Sequence, residues 1–296
     1  MIEVLKAPPF ATVQDLGWRT GRAMGLPQGG AMDRALLQEA NECAGNAPGA
    51  AALEWALGPG SLRFERDATL CVLEDAEVRI DGVAPGQGAM RVSAGVVVEI
   101  IPGRRDRFVY VAVSGGIDVP LTLGSRSTYL PGGFGGVEGR RIKTGDRLPI
   151  GATPTSGSTQ AVIARPQRGR GDPTVDLELR VTRGPQWDRF DEAARAEFFA
   201  GTYIVTPASD RMGYRLQGAT VRPRERATLP SEAACLGAVQ IPDDGQPIVL
   251  MPDGPTVGGY PKLAVVMGAD LGKLAQCQPG RSVRFVEVAP EQHRRS

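Results

Sequence analysis

The sequence GGYPK near the end of the chain holds residue types that could bind an anion or an amide. Gly258 and Gly259 are adjacent, and two glycines in a row let backbone N–H groups converge on a negatively charged group. The Tyr260 phenol and the Lys262 ammonium follow directly and add a donor and a positive charge. The same pattern also suits a glycine-rich loop with a solvated lysine, and the sequence leaves both interpretations open. Further polar residues that could contact a ligand lie just before it, at Gln240, Gln246 and Asp253.

A second concentration of potential anion-binding groups has the sequence GSRST and begins at Gly124. It offers the hydroxyl groups of Ser125, Ser127 and Thr128, the guanidinium of Arg126 and several backbone N–H groups within five positions. This combination predicts a nest for a phosphate or a carboxylate. A turn capped by hydroxyl groups, with Arg126 in a structural ion pair, would explain the same residues.

Two further polar segments follow strand-like runs and could contact a substrate or a partner. The first contains Gln14 and Asp15, followed by two arginines between glycines. The second, PASDRMGYRLQG, contains Asp210, Arg211 and Arg215. Pairs of Asp and Arg side chains at the mouth of a barrel are the structural alternative. The two segments are weakly similar to each other, which suggests two related β domains in one chain.

Histidine is almost absent, because the only one is His293 in the tail EQHRRS. A Ser/His/Asp triad, a Cys/His pair and a His-ligated metal site all need an imidazole in the folded body. The sequence also lacks a GxxxxGK[ST] loop, a GxGxxG pattern after a strand and a GxSxG nucleophile motif. These classes of site are therefore excluded, and we expect no metal centre.

The overall composition argues against nucleic-acid and membrane partners. With 34 Lys and Arg against 33 Asp and Glu residues the net charge is +1, and aromatic residues make up only 5% of the chain. No amino-terminal signal is present, and no apolar run approaches the roughly 18 residues of a membrane span. We therefore expect a soluble, cytoplasmic protein. The four cysteines are far apart and form no CxxC pair, so we expect free thiols.

Many short apolar runs separated by glycine and proline predict a turn-dense, mainly β fold with a few short helices. Helices are predicted at 33–44, with Asp33 as the N-cap, at 191–200 and at 269–276. Glu54 alternates with apolar neighbours in a predicted strand, so we expect it to face water or a polar barrel interior. Strands are predicted at 2–5, 52–57, 61–64, 69–73, 78–80, 96–101, 108–113, around 148, 161–164, 177–182, 203–206, 236–242, 247–251 and 282–288.

The chain resembles the KipA family through blocks that occur in the same order: QDLGWRTGR, GGAMDRALLQEAN, GGIDVPLTLGSRSTY, SDRMGYRL and GAVQIPDDGQPIVLMPDGPTVGGYPK. That family is also described as the C subunit of 5-oxoprolinase, allophanate hydrolase subunit 2 or the biotin-dependent carboxyltransferase family. The resemblance covers nearly all of residues 2–288. It implies two cyclophilin-like β-barrel domains, which we place at 1–152 and 174–290, with a junction at 153–173 and a disordered tail at 291–296.

The resemblance implies a choice among three activities. One is a subunit of an ATP-dependent 5-oxoprolinase, which opens 5-oxoproline to L-glutamate together with KipI-like and LamB/YcsF-like subunits. Another is half of the carboxyltransferase of a urea- or guanidine-type carboxylase, which would use biotin, and the third is a non-catalytic regulator that binds KipI. The chain shows no biotin-carrier MKM motif and no carboxylase region, which favours the 5-oxoprolinase subunit, expected to be active only in complex.

Opening a lactam requires groups that stabilise negative charge, and arginine, lysine and backbone N–H groups can do so without histidine. We expect ATP with Mg²⁺, bound at least in part by the partner subunit. The residues predicted to be catalytic are Arg126, Lys262, Asp210 and Arg211. Those predicted to bind substrate or nucleotide are Gln14, Asp15, Ser125, Ser127, Thr128, Arg215, Gln240, Gln246, Asp253, Gly258, Gly259 and Tyr260.

Overall fold

The computed structural model describes residues 1–85, 88–153, 175–224 and 229–289. The chain forms two compact units. The first contains residues 1–18 and 29–169, and the second contains residues 19–28 and 170–296. The tail predicted at 291–296, the strand predicted at 161–164 and nearly all of the predicted junction at 153–173 lie outside the described residues.

The described residues of the first unit form ten strands and one helix. The strands are β1 (Ile2–Lys6), β2 (Phe10–Gln14), β3 (Ala52–Ala56), β4 (Gly60–Phe64), β5 (Ala68–Leu73), β6 (Ala76–Ile80), β7 (Gly88–Val92), β8 (Val97–Pro102), β9 (Val109–Val113) and β10 (Arg147–Leu148). They form two five-stranded sheets, ordered β10-β1-β4-β8-β6 and β2-β3-β9-β5-β7. Apolar side chains that alternate along strands of both sheets form one buried core between them.

The other face of the sheet that contains β2, β3 and β9 carries helix α1 (Arg34–Cys43). Asp33 is its N-cap, and the Asp33 carboxylate accepts a hydrogen bond from the Leu36 N–H, as the sequence predicts. A disulfide between Cys43 and Cys71 joins the end of α1 to β5. The prediction of free thiols is therefore wrong for this pair, because the spacing of 28 residues gives no sign that the helix lies over that strand. Cys235 and Cys277 are free thiols.

Glu54 lies in a polar row on this helix-covered face. Thr12, Glu54 and Tyr110 are direct partners across β2, β3 and β9, and each of them is fully buried. Glu54 does face away from the apolar core, as its alternation predicts. The expectation that it would face water or a barrel interior is wrong, because the start of α1 and the chain leading into it cover the row.

The second unit contains a closed barrel of seven strands in the order β11-β18-β15-β16-β13-β12-β19. A separate two-stranded ribbon pairs β14 with β17. Phe198 and Phe285 stack with ring centroids 4.5 Å apart, which fixes α2 on the barrel. The elements of the unit are β11 (Leu177–Arg183), α2 (Glu192–Ala200), β12 (Tyr203–Val205), β13 (Gly213–Gln217), β14 (Glu232–Ala233), β15 (Ala238–Gln240), β16 (Ile248–Leu250), β17 (Val257–Gly258), β18 (Lys262–Val266), α3 (Gly268–Ala275) and β19 (Ser282–Glu287).

The predicted mainly β architecture with few short helices is confirmed. Strands β2, β7, β13, β14, β17 and β18 are found where the sequence predicted none, whereas the three helices agree with the predictions to within one residue at each end. In the part of the chain that the structure describes, no helix is long and apolar enough to cross a membrane.

Candidate functional site

The carboxylate of Asp15 is the centre of the predicted anion nest in the first unit. Asp15 Oδ1 accepts hydrogen bonds from Ser125 Oγ (2.6 Å), Ser127 Oγ (2.6 Å) and Gly17 N (2.8 Å). Asp15 Oδ2 accepts one from Arg126 N (2.7 Å). These four bonds satisfy a carboxylate that is only 9% exposed, so the donors of the GSRST segment bind an anion that the chain itself supplies.

A tight turn delivers this segment to Asp15. Thr122 and Ser125 are bridge partners, and the two residues between them, Leu123 and Gly124, both have positive φ angles of 52° and 86°. This is the geometry of a type I′ turn. Ser125 ends the turn, and the hydroxyls of Ser125 and Ser127, two residues apart, both point at Asp15. The Arg126 side chain leaves the nest and pairs with Asp118 at 2.6 Å, with a third of the arginine side chain exposed.

Gln14 and Thr128 join the same segment to β2. Gln14 Nε2 donates to the Thr128 carbonyl (3.1 Å) and to Thr12 Oγ1 (3.0 Å), and Thr128 Oγ1 donates to the Val13 carbonyl (3.1 Å). Gln14 Oε1 is buried and has no hydrogen-bond partner among the described residues. The structure thus brings together five residues predicted from two distant segments, Gln14, Asp15, Ser125, Ser127 and Thr128, and places Arg126 beside them.

A second buried carboxylate, Glu54, holds the chain that leads into α1. Glu54 Oε2 accepts hydrogen bonds from Tyr110 Oη (2.7 Å) and Met32 N (2.8 Å), and Tyr110 Oη accepts one from Asp33 N (2.9 Å). Burial raises the pKa of the Tyr110 hydroxyl well above its ordinary value, and the charges of Glu54 and Asp33 act in the same direction. Tyr110 therefore stays protonated and donates. Tyr110 was not predicted, although a glutamate inside an apolar strand indicates that a buried donor must exist.

In the second unit, Lys262 is the buried cation of a polar cluster. Lys262 Nζ donates to Glu232 Oε1 at 2.7 Å, and Gln186 Nε2 donates to the same oxygen. The Lys262 backbone N–H donates to Gln186 Oε1 at 2.9 Å, so the glutamine contacts both partners. The lysine side chain is 3% exposed, whereas the Glu232 side chain is 43% exposed. Neither Gln186 nor Glu232 was predicted, because they lie 76 and 30 residues before Lys262 and carry no motif.

The barrel strands place Gln240 next to Lys262. The two residues are cross-strand partners, and a register irregularity just before Gln240 adjusts their pairing. The β14–β17 ribbon lies against Gln240, because a Cβ atom added to Gly258 would come within 2.8 Å of Gln240 Nε2. Gln240 is 4% exposed, and its Nε2 has no hydrogen-bond partner among the residues that the structure describes. The fold thus brings Gly258, Gln240 and Lys262 together.

The remaining predicted residues of the second unit lie in different surroundings. Arg211 and Asp253 form a buried bidentate ion pair, with Nε and Nη2 donating at 2.8 and 2.9 Å. Asp210 caps a turn by accepting from the backbone N–H groups of the two residues that follow Arg211. Gln246 Oε1 accepts from Gly218 N at 2.8 Å in another turn. These contacts give all four side chains a structural partner.

Arg215, Gly259 and Tyr260 complete the set of predicted residues. Arg215 is exposed on β13, where it pairs with Ile248, which in turn pairs with Gln240 on the next strand. Gly259 follows the ribbon, and a Cβ atom there would lie 3.1 Å from the Leu229 carbonyl. The Tyr260 residue is 48% exposed. The two segments predicted to bind an anion therefore belong to different units: 124–128 to the first and 258–262 to the second.

Comparisons with known proteins agree over almost the whole chain. A family model described as the carboxyltransferase domain, subdomain A and B, matches residues 24–287. The chain is 36% identical to the C subunit of 5-oxoprolinase from Escherichia coli (strain K12) over 294 residues, which cover 99% of this chain and 93% of that protein. It is 34% identical to the C subunit of 5-oxoprolinase from Haemophilus influenzae over 291 residues, which cover 98% of this chain and 92% of that one.

The fold is also found in a solved structure. The crystal structure of the Kluyveromyces lactis urea amidolyase superimposes with a TM-score of 0.88 at 29% sequence identity, and the match covers 97% of this chain but 19% of that chain. The region that the two share is therefore a small part of a much longer protein. The family model and the near full-length identity show that this chain belongs to the carboxyltransferase-domain family that includes the C subunit of 5-oxoprolinase, as its resemblance to KipA predicted.

Proposed function

We propose that this chain is the C subunit of an ATP-dependent 5-oxoprolinase that opens 5-oxoproline to L-glutamate. The observation that carries the proposal is the 36% identity to the E. coli protein, which extends over 93% of that protein's length. A match of this length leaves little of either chain unaccounted for. It therefore favours the function of that subunit for this chain.

Two further subunits are proposed as partners, because a protein named as one lettered subunit of an enzyme works within a larger assembly. We assign these roles to a LamB/YcsF-like and a KipI-like protein, and we place the complex in the cytoplasm. Nucleotide binding is assigned to the partners for a structural reason. The hydroxyl and backbone donors of the 124–128 segment already bind Asp15, so they do not fit a triphosphate.

The contribution of this chain is proposed to be electrostatic. Hydrolysis of a lactam places negative charge on the carbonyl oxygen, and the product carries a second carboxylate. A fixed donor aimed at developing charge contributes about 3 to 4 kcal/mol of transition-state stabilisation. Arg126 in the first unit and Lys262 in the second are the cations proposed to face such anionic groups. Asp210 and Arg211 remain candidates only for positioning, since their contacts are within the fold.

Reconstitution with both partners tests the proposal. The variants Arg126→Ala and Lys262→Ala are expected to lower ATP-dependent formation of glutamate from 5-oxoproline by about 10²- to 10³-fold each, the usual cost of losing one such donor. Arg63→Ala and Lys6→Ala are matched controls on exposed positions of β4 and β1, and they should retain full activity. If the double variant keeps its activity in an intact complex, both assignments fail and a non-catalytic role in binding KipI is favoured.

A carboxyltransferase activity is the second candidate function. It is favoured by the description of the matching family model and by the similarity to the K. lactis urea amidolyase. Under this alternative the chain would accept a carboxyl group from biotin and act on urea or guanidine. Incubation with a biotin carboxylase, its biotinylated carrier, ATP, bicarbonate and either urea or guanidine as the acceptor, followed by detection of carboxylated urea or guanidine, distinguishes it from lactam hydrolysis.

A further inference from the structure

Three side-chain donors converge beneath the β14–β17 ribbon of the second unit. Lys262 Nζ and Gln186 Nε2 both point at Glu232 Oε1. Gln240 Nε2 lies beside them, since Gln240 and Lys262 are cross-strand partners and the amide abuts Gly258. One ammonium and two amides therefore face the same side of the barrel.

The ion pair between Lys262 and Glu232 is asymmetric in its burial. A lysine whose side chain is only 3% exposed strongly requires an anionic partner, because an unpaired ammonium in a protein interior is unstable. Glu232, in contrast, is 43% exposed, and its strand has only two residues. Its carboxylate would be well hydrated if it moved away. The cation thus depends on the carboxylate far more than the carboxylate depends on the cation.

The Gln240 amide indicates that Glu232 does not complete the cluster. Its Nε2 is buried and finds no acceptor among the described residues, although a carboxylate is bound by two neighbouring donors. Nearly all buried polar groups in proteins are hydrogen-bonded, so a buried amide without a partner calls for an explanation. An acceptor that reaches Lys262, Gln186 and Gln240 together would give the Gln240 amide its missing hydrogen bond.

We infer that this cluster is a binding subsite for the carboxylate of a small molecule, and that Glu232 occupies it as an internal competitor. The ligand carboxylate would take the place of Glu232 and accept from Lys262, Gln186 and Gln240. One positive charge with two neutral amides matches a singly charged, planar acceptor better than a doubly charged phosphate. The inference rests on the proposed function, in which the ligand is the carboxylate of 5-oxoproline.

Two variants with opposite expected effects test the inference in the assembled complex. Gln240→Leu removes one donor and should weaken binding of 5-oxoproline by about 10-fold, the equivalent of one good hydrogen bond. Glu232→Gln removes the competing charge and should tighten binding several-fold, because the donors are no longer occupied by the chain's own carboxylate. A residue with a purely structural role would not produce tighter binding. Neither variant should change the affinity for 2-pyrrolidinone, which has the lactam but no carboxylate.

A second measurement is independent of the proposed reaction. Side-chain amide NMR signals of Gln240, assigned by their loss in Gln240→Leu, should shift when the wild-type chain is titrated with acetate, and should shift at lower acetate concentration in Glu232→Gln. Acetamide is the neutral control. If these signals do not respond to acetate in either protein, the inference is overturned. If they respond while the complex neither binds nor opens 5-oxoproline, the carboxylate subsite stands and the proposed function fails.

Discussion

Two carboxylates, Asp15 in the first unit and Glu232 in the second, are each bound by several donors, but their surroundings differ. Asp15 is 9% exposed and accepts four hydrogen bonds from hydroxyl and backbone N–H groups. Glu232 is bound by an ammonium and an amide, and almost half of its side chain is exposed. In the first cluster the anion is buried, whereas in the second the cation is.

This difference separates a structural nest from a site that can exchange its anion. If the Asp15 carboxylate were removed, its four donors would lose their shared acceptor inside the protein. The carboxylate and its donors therefore stabilise the same local structure. Glu232 could return to water with little loss, and another carboxylate could then pair with Lys262. Segments 124–128 and 258–262 have similar sequence features, with small residues and hydroxyl groups near a cation. Their roles differ, because the anion is buried in the structural cluster and the cation is buried in the exchangeable one.

A substitution of Asp15 tests most directly whether the first cluster is structural. Asp15→Ala should lower the free energy of unfolding by about 4 kcal/mol, because it leaves several buried donors without an acceptor. Chemical denaturation followed by circular dichroism measures the change. Ser125→Ala is the matched control: it removes one of the four donors to Asp15 together with the acceptor of the Ser127 N–H, with an expected loss of about 2 kcal/mol. A loss in Asp15→Ala no larger than that of the control would show that the nest does not depend on its carboxylate.

Asp270 is intermediate between Asp15 and Glu232. Its carboxylate is fully buried, as that of Asp15 nearly is, but its partners Arg180 and Lys273 are each about half exposed. Burial alone would raise the pKa of Asp270, but hydrogen bonds from Arg180 and Lys273 outweigh it and lower the pKa below its ordinary value. Asp270→Asn should therefore cost about 2 kcal/mol at neutral pH, the usual strength of hydrogen bonds to a charged group.

The pH dependence of this variant gives a second check. A lowered folded-state pKa contributes stability that is present above the unfolded pKa of about 4 and is lost as the pH falls through the folded pKa. The difference in stability between wild type and Asp270→Asn should therefore shrink below a pH of about 4. Denaturation curves recorded from neutral pH down through this range measure it, and a difference that stays constant would contradict the assignment.

The sequence predicts the local parts of this fold better than the partners of its charged groups. Helix α1 with its Asp33 cap follows from apolar spacing and cap chemistry, which are encoded within a dozen residues. Strand β13 was missed because the outward side of a barrel strand can carry Arg215, so the segment resembles a polar loop. Strand β18 was missed because Lys262, its first residue, follows a Gly-Gly-Tyr-Pro sequence that is typical of a turn.

The donors of the 124–128 segment could be predicted, but not the anion that they bind. Asp15 lies 110 residues before Ser125 in the sequence, and only the folded sheet brings them into contact. The same holds for Gln186 and Glu232 beside Lys262. Residue types and spacing reveal which groups can donate, whereas the acceptor depends on long-range pairing of strands that no local pattern specifies.

The smallest effect on stability is expected for a substitution of Lys262, the buried cation of the second cluster. Lys262→Met keeps most of the length of the buried side chain, removes the buried charge and leaves Glu232 mostly to water, so the free energy of unfolding should change by no more than about 1 kcal/mol. Activity or carboxylate binding should nevertheless be lost, because the only cation of the described cluster is gone. Thermal and chemical unfolding, measured beside binding, separate the two effects. A loss of stability as large as that of Asp15→Ala would mean that Lys262 and Glu232 form a structural pair like the first nest, and that the exposed carboxylate cannot be exchanged for a ligand.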